Sequence, residues 1–421
     1  MSLLRVGLCL LLAWAVLAIG GTEVWATSSI EIGAAALFVL WAVLAALKSV
    51  ERIDWSPLNW PLLGLLAIGL FQLVFHITPY PFLTRMQLLR LAAYFLIFFL
   101  TAQAFRSSAD LKGLAWFLIV LCFAVSLFGI IQHFTSTREI YWSEAFKTEG
   151  DPFGPYVNRN HFAGFVELTL PIGLAMIVFR GVHRDVLLLT GLLTIVPVSA
   201  LALSGSRGGI IGFAFEIGVL ALLSRSRKTG AWMSPRVIAI GILLLLGLAA
   251  VAWIGANTAI ERFSAMKSPE VSLGRRFSMA RGAAHIFRDH PLIGCGIGAL
   301  VDVFPRYETA YDGKLVDHVH NDYMETLAET GILGGLCGAA FVWILFREAR
   351  KRLEAEQGHF SRALHAGAIV AVSGILLHSL VDFNLQIPAN ALLFLVQAYL
   401  ITSPPLSSSA PPGRRPAPTE V

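Results

Sequence analysis

Apolar stretches of about 17 to 22 residues recur along nearly the whole chain, and each is long enough to cross a hydrocarbon core of roughly 30 Å as an α-helix. About twelve fall near 4–21, 29–47, 57–76, 86–105, 113–134, 161–179, 185–204, 208–224, 236–256, 329–346, 365–383 and 387–403. The pattern predicts an all-α, polytopic membrane protein of about twelve transmembrane helices, with 1–403 as one transmembrane domain. One long polar interruption, 257–328, lies between the ninth and tenth stretches, and the Pro- and Ser-rich tail 404–421 is predicted to be disordered. Composition agrees: 56% of residues are hydrophobic and 14% charged, with a mean hydropathy of +0.70. These values exclude a water-soluble domain of this length.

Orientation follows from Lys and Arg in the short loops, because positive charge beside a span resists translocation. Placing the N-terminus in the cytoplasm puts five basic groups inside: Lys48 and Arg52; Arg106 and Lys112; Arg180 and Arg184; Arg225, Arg227, Lys228 and Arg236; and the Arg347, Arg350, Lys351, Arg352 and Arg362 cluster. Both termini are then cytoplasmic and 257–328 lies outside. The first span, with Arg5 before it, resembles a signal peptide, and the topology survives its removal. Basic residues kept on the unfavoured side, namely Arg85, Arg90, Arg138, Arg159, Arg207 and those of the large loop, suggest an anionic ligand there. Of the four cysteines only Cys295 lies outside the spans, so no disulfide framework is expected.

Four polar constellations fall on that outer face. Asn158-Arg159-Asn160-His161 enters the sixth span, and Ser204-Gly205-Ser206-Arg207-Gly208-Gly209 turns between the seventh and eighth. In that turn glycines admit close backbone approach, a helix start offers free amides, and Arg207 adds a fork for phosphate; a simple hairpin with a snorkelling arginine is the plainer alternative. In the large loop, Phe277, Ala280, Ala284 and Phe287 recur at helical spacing, predicting an amphipathic surface helix stopped by Pro291. Arg276 sits at its start, pointing back towards the spans, while Arg281 and Arg288 suit lipid head groups. After it, Gly294-Cys-Gly296-Ile-Gly298 is expected only to reverse the chain. His318, His320 and Asp322 alternate just before a helix that begins near Tyr323. Two histidines at i, i+2 face different ways on a helix and no further ligand set is evident, so a general base is favoured over a metal site, with a helix cap as the plainer alternative. The fourth constellation is His378-Ser-Leu-Val-Asp382-Phe-Asn384.

Taken together these residues resemble the bacterial O-antigen ligase and O-antigen polymerase superfamily of membrane glycosyltransferases. The resemblance rests on the span count, the large loop before the last three spans, Asn158 to His161, the Ser206-Arg207-Gly208-Gly209 turn, Arg276 followed by Asp289-His290-Pro291-Leu292, His320-Asn321-Asp322 with Gly331, and the His378 to Asn384 stretch. It implies a multi-pass protein of the inner membrane that transfers a glycan from undecaprenyl diphosphate to an acceptor hydroxyl on the periplasmic side. The acceptor would be lipid A core or another glycan. By motif, Arg207 and a loop arginine would bind the diphosphate, and His320 would activate the acceptor. The family often carries a bulky residue four positions after the loop arginine; Arg288 with Leu292 meets that pattern and Arg276 with Ala280 does not, so both arginines are candidates. Arg159, Asn160, His161, Ser206, His318, Asn321, Asp322, His378 and Asp382 are expected to line the substrate site. Neither a cofactor nor a metal is expected, the other partners being membrane lipids and not nucleic acid.

Physics supports a lipid-borne donor, since no inner loop exceeds about twenty residues and none could house a nucleotide sugar. Direct displacement would invert the anomeric carbon. Two rival readings are a transporter of a small anion such as inorganic carbon, to which Glu167 and Glu216 within spans would be relevant, and a scaffold for polysaccharide assembly.

Overall fold

The computed structural model describes residues 1–403 except 48–51, 137, 149, 226–240, 242–272, 310–312, 314 and 356–357. The expected ninth span, most of the start of the large loop and the tail lie outside the described residues. The described residues form thirteen α-helices and no named strand. In chain order they are α1 Ser2–Leu17, α2 Val24–Ala46, α3 Asn59–Val74, α4 Pro81–Ala104, α5 Ser108–Thr135, α6 Arg159–Val178, α7 Leu187–Ser204, α8 Arg207–Ser224, α9 Leu273–Asp289, α10 Leu300–Val303, α11 Asp322–Ala355, α12 His359–His378 and α13 Pro388–Thr402. Eight are long and apolar enough to cross a membrane, and α1, α3 and α13 are shorter apolar helices. These eleven answer to the eleven predicted spans that fall on described residues.

The bundle is organised around α6, which is buried over 94% of its span, whereas α2 is buried over only 17%. A helix apolar on every face needs neighbouring helices or lipid to cover it, and for α6 the cover is protein. Here α5, α7, α8, α12 and α13 supply that cover. Gly367 lets α12 approach Ile172 on α6, where an added Cβ would lie 2.9 Å from the Ile172 Cα. Polar side chains pin the contact with α13: Asn390 Nδ2 donates to the His161 carbonyl at 2.9 Å and Gln397 Nε2 to the Leu168 carbonyl at 2.5 Å. Inside an apolar bundle such amide bonds fix register, because slippage would leave them unsatisfied.

Two boundaries differ from the sequence pattern. The eleventh span was expected to run to 383, but α12 stops at His378, and 379–387 is a link that carries Asp382 and contains a short 3-10 turn, Asn384–Gln386. Asp382 competes with the helix by bonding locally, accepting the Phe383 amide at its Oδ1 at 2.9 Å, and Pro388 then opens α13. The tenth span is the inner part of a 34-residue helix broken at Gly331, which has φ 62° and ψ −163°.

The glycine-rich turn after Pro291 does more than reverse the chain. The Cys295 and Gly296 amides donate to the Ala328 and Glu329 carbonyls at 2.9 and 3.1 Å, and the Ile332 and Leu333 amides donate back to Pro291 and Leu292 at 2.8 and 3.2 Å. Gln72 on α3 closes the splice, donating to Ile293 and Glu329 carbonyls at 2.6 and 2.8 Å and accepting from the Ile297 amide at 2.9 Å. Backbone groups freed by the break are thereby satisfied. Gly294 (φ 79°) and Gly331 make this possible, since a Cβ at either would overlap the opposing backbone.

The loop helix forms, spanning Leu273–Asp289, but it buries a different stripe from the one expected. Met279, Ala283 and Ile286 enter a second small core with Leu300, Val303, Phe304, Val319 and Ala328, while Phe277 is 73% exposed. The sequence holds two overlapping apolar stripes, and the one that meets α10 and α11 is buried.

Candidate active site

Local signals set each functional side chain at one end of the bundle. Asn158 caps α6 by accepting the Asn160 amide at 2.8 Å, and Ser206 caps α8 by accepting the Gly209 amide at 3.2 Å. Gly205 ends α7 in the left-handed conformation, which turns the chain directly into α8. Asn321 Oδ1 accepts the Met324 amide at 2.9 Å at the start of α11, and its Nδ2 donates to the Leu380 carbonyl at 2.8 Å.

Asp382, fully buried, is the hub. Its Oδ1 lies 3.1 Å from His320 Nδ1 and 3.9 Å from His161 Nε2. Its Oδ2 accepts from Asn160 Nδ2 at 2.8 Å and stands 3.7 Å from the Arg276 guanidinium. Asn160 Oδ1 in turn accepts the Ser206 hydroxyl at 2.9 Å, and Arg276 also donates to the Val381 carbonyl. All four constellations are therefore linked through one carboxylate. Burial by itself would raise the Asp382 carboxyl, but the His320 hydrogen bond and the charges of His161, His320 and His378 outweigh it and hold it well below the usual carboxylate range.

His320 adopts a left-handed backbone, φ 53°. For a residue with a Cβ this costs about 1–3 kcal/mol, and the neighbouring residues hold it. Glu325 clamps the preceding segment, its Oε2 accepting the Val319 amide at 2.9 Å and its Oε1 meeting His318 Nδ1 at 2.6 Å. The Phe383 ring supports His318, His320 and His161 with centroid separations of 4.6, 4.7 and 4.7 Å. Burial opposes the charged form of His318, yet Glu325 beside it prevails and raises its pKa to about 9. His318 is thus a paired cation, while His320 is the histidine set against Asp382.

The remaining predicted residues take separate places. Arg207 is exposed at the start of α8, and Arg159 lies 3.9 Å from Asp151, with its guanidinium beside Gly205. Arg288 is exposed and meets Asp289 at 3.5 Å. Asp322 Oδ2 accepts the Leu385 amide at 3.2 Å, so His318, His320 and Asp322 answer to three different partners rather than converging. His378 Nδ1 meets Glu167 Oε2 at 2.9 Å. Among the described residues no group of three metal-ligating side chains occurs. A cavity of about 210 Å³ opens beside Asp322, with mostly apolar walls and Gln87, Glu329 and Gln386 among its polar members.

Sequence reasoning did not single out Phe383, Glu325 or Asn390. Phe383 sat within a motif already noted, and Glu325 lies one turn beyond Asn321; Asn390 has no local signature.

Residues 192–339 match a family described as O-antigen ligase. The matched segment contains Ser206, Arg207, Arg276, His318, His320, Asn321 and Asp322, whereas Asn160, His378 and Asp382 come from outside it and are brought in by the fold. No curated protein matches the chain.

Proposed function

We propose that this chain, whose residues 192–339 match a family described as O-antigen ligase, is a glycosyltransferase that transfers a glycan from undecaprenyl diphosphate to an acceptor hydroxyl at the periplasmic face of the inner membrane. The observation that carries this reading is the shared carboxylate: Asp382 orients both His320 and Arg276. A buried carboxylate on Nδ1 fixes the imidazole tautomer and leaves Nε2 to accept a proton. The acceptor hydroxyl gives that proton to His320 as its oxygen bonds to the anomeric carbon, and the bond from that carbon to the diphosphate oxygen breaks with its electron pair. Arg276, Arg207 and the positive end of α8 meet the charge that builds on the departing diphosphate. A single displacement inverts the anomeric configuration.

The lipid tail of the donor suits a protein whose site stands at the end of a bundle of apolar helices. The family match and the cationic outer loop both favour transfer over transport of a small anion.

The test is carrier-linked glycan turnover in membranes. Arg207→Ala and His320→Asn should each lower it by at least about 10²-fold at parental expression, and excess EDTA should leave the parent active. Parental turnover in either variant overturns the site; loss in EDTA restored by Mg²⁺ or Mn²⁺ overturns the metal-free mechanism.

A further inference from the structure

Glu167 on α6 and His378 at the end of α12 form a pair that the reaction above does not use. Both side chains are fully buried, with Nδ1 and Oε2 2.9 Å apart. His378 Nε2 has no hydrogen-bond partner. What faces it is Gly208, the second residue of α8, where a Cβ would overlap Nε2. One turn further, a Cβ at Gly212 would overlap the other Glu167 oxygen. Two glycines thus make a flat strip on α8 against which the carboxylate and imidazole lie. His378 also stands within charge range of Asp382 and Arg276.

A buried ring nitrogen without a partner is costly, and this one faces the first turn of α8, where helix amides and Arg207 already favour an anion. We propose that Glu167 is a positioning residue: it holds His378 so that Nε2–H donates to the diphosphate bound at the first turn of α8. The inference rests on the reading of that turn as the diphosphate site. Glu167 balances the charge of a ring that carries both protons while an anion is bound. In this role the acid buried in the span serves binding in place of ion passage.

Pyrophosphate binding to the purified full chain, measured by calorimetry, separates the two ideas. Arg207→Ala should abolish binding; if it binds as the parent does, the diphosphate reading of the turn fails and this inference falls with it. Given that loss, Glu167→Gln and His378→Gln should each weaken binding at least tenfold, and the double variant should be no weaker than His378→Gln, because Glu167 acts only through His378. Parental affinity in Glu167→Gln, or losses that multiply in the double variant, overturns the role of Glu167 alone. Glu216→Gln, on the same helix strip, should stay within threefold of the parent; a tenfold loss there would mark a general effect of removing buried acids and also overturn the proposal. Should Glu167→Gln fail to fold, Gly208→Ala puts a methyl group where Nε2 lies and should weaken pyrophosphate binding tenfold, with retained affinity overturning the proposal.

Discussion

His320 and Asp382, 62 positions apart in the chain, meet at 3.1 Å through Nδ1 and Oδ1. Since Asp382 also takes Asn160 and faces Arg276, removing either histidine or carboxylate has separable consequences.

His320→Asn keeps a residue tolerant of left-handed backbone and removes the base. Glycan transfer should fall by about 10²–10⁴-fold with the melting temperature nearly unchanged. Asp382→Asn should lose a comparable share of activity and also be less stable, by up to about 3–5 kcal/mol, because Arg276 is left facing an uncharged amide. Thermal unfolding in detergent beside a turnover assay checks both; an active Asp382→Asn would remove the hub from the mechanism.

The two candidate loop arginines are separated by position. Arg276 reaches Asp382 and Val381, and Arg288 sits 76% exposed beside Asp289. Arg276→Ala should cost about 10²–10³-fold in turnover, the usual effect of deleting one charge-stabilising donor, while Arg288→Ala stays within about threefold. The opposite ranking would transfer the role to Arg288.

His318 gives stability a pH dependence. Its pKa is raised to about 9 beside Glu325, above the unfolded value of about 6.5. A group with a raised folded pKa stabilises fully below its unfolded pKa and loses that contribution as pH climbs through the folded one. The parent should therefore exceed His318→Gln by on the order of 2 kcal/mol near pH 6, and the gap should close above about pH 9. A gap that widens with pH would contradict the pairing.

The splice between the glycine-rich turn and the break in α11 admits no side chain at its centre. Gly294→Ala meets the Glu329 backbone and a positive φ at once, so it should destabilise by on the order of 2–4 kcal/mol. Because the same splice anchors the segment that leads into α11, activity should fall with it; unchanged melting would show that the turn yields.

Hydrophobic periodicity is local, and the chain alone therefore dictated the apolar helices and the polar motifs that fall at helix ends, where Asn158 and Ser206 prove to be caps. Each of those follows from residues within a turn or two of one another. Which stripe of α9 is buried, which arginine reaches the site, and that Asp382 joins Asn160, Arg276 and His320 were decided by packing. Spacing carries no information about partners tens to hundreds of residues away, and several polar groups in each motif had equal local claims. Only the close passage of α6, α8 and α12, with Arg276 and His320 brought to the link after α12, selects among them. The pairing of Glu167 with His378 belongs to this second kind: in the sequence Glu167 is an isolated acid in an apolar run, and a second helix gives it its partner.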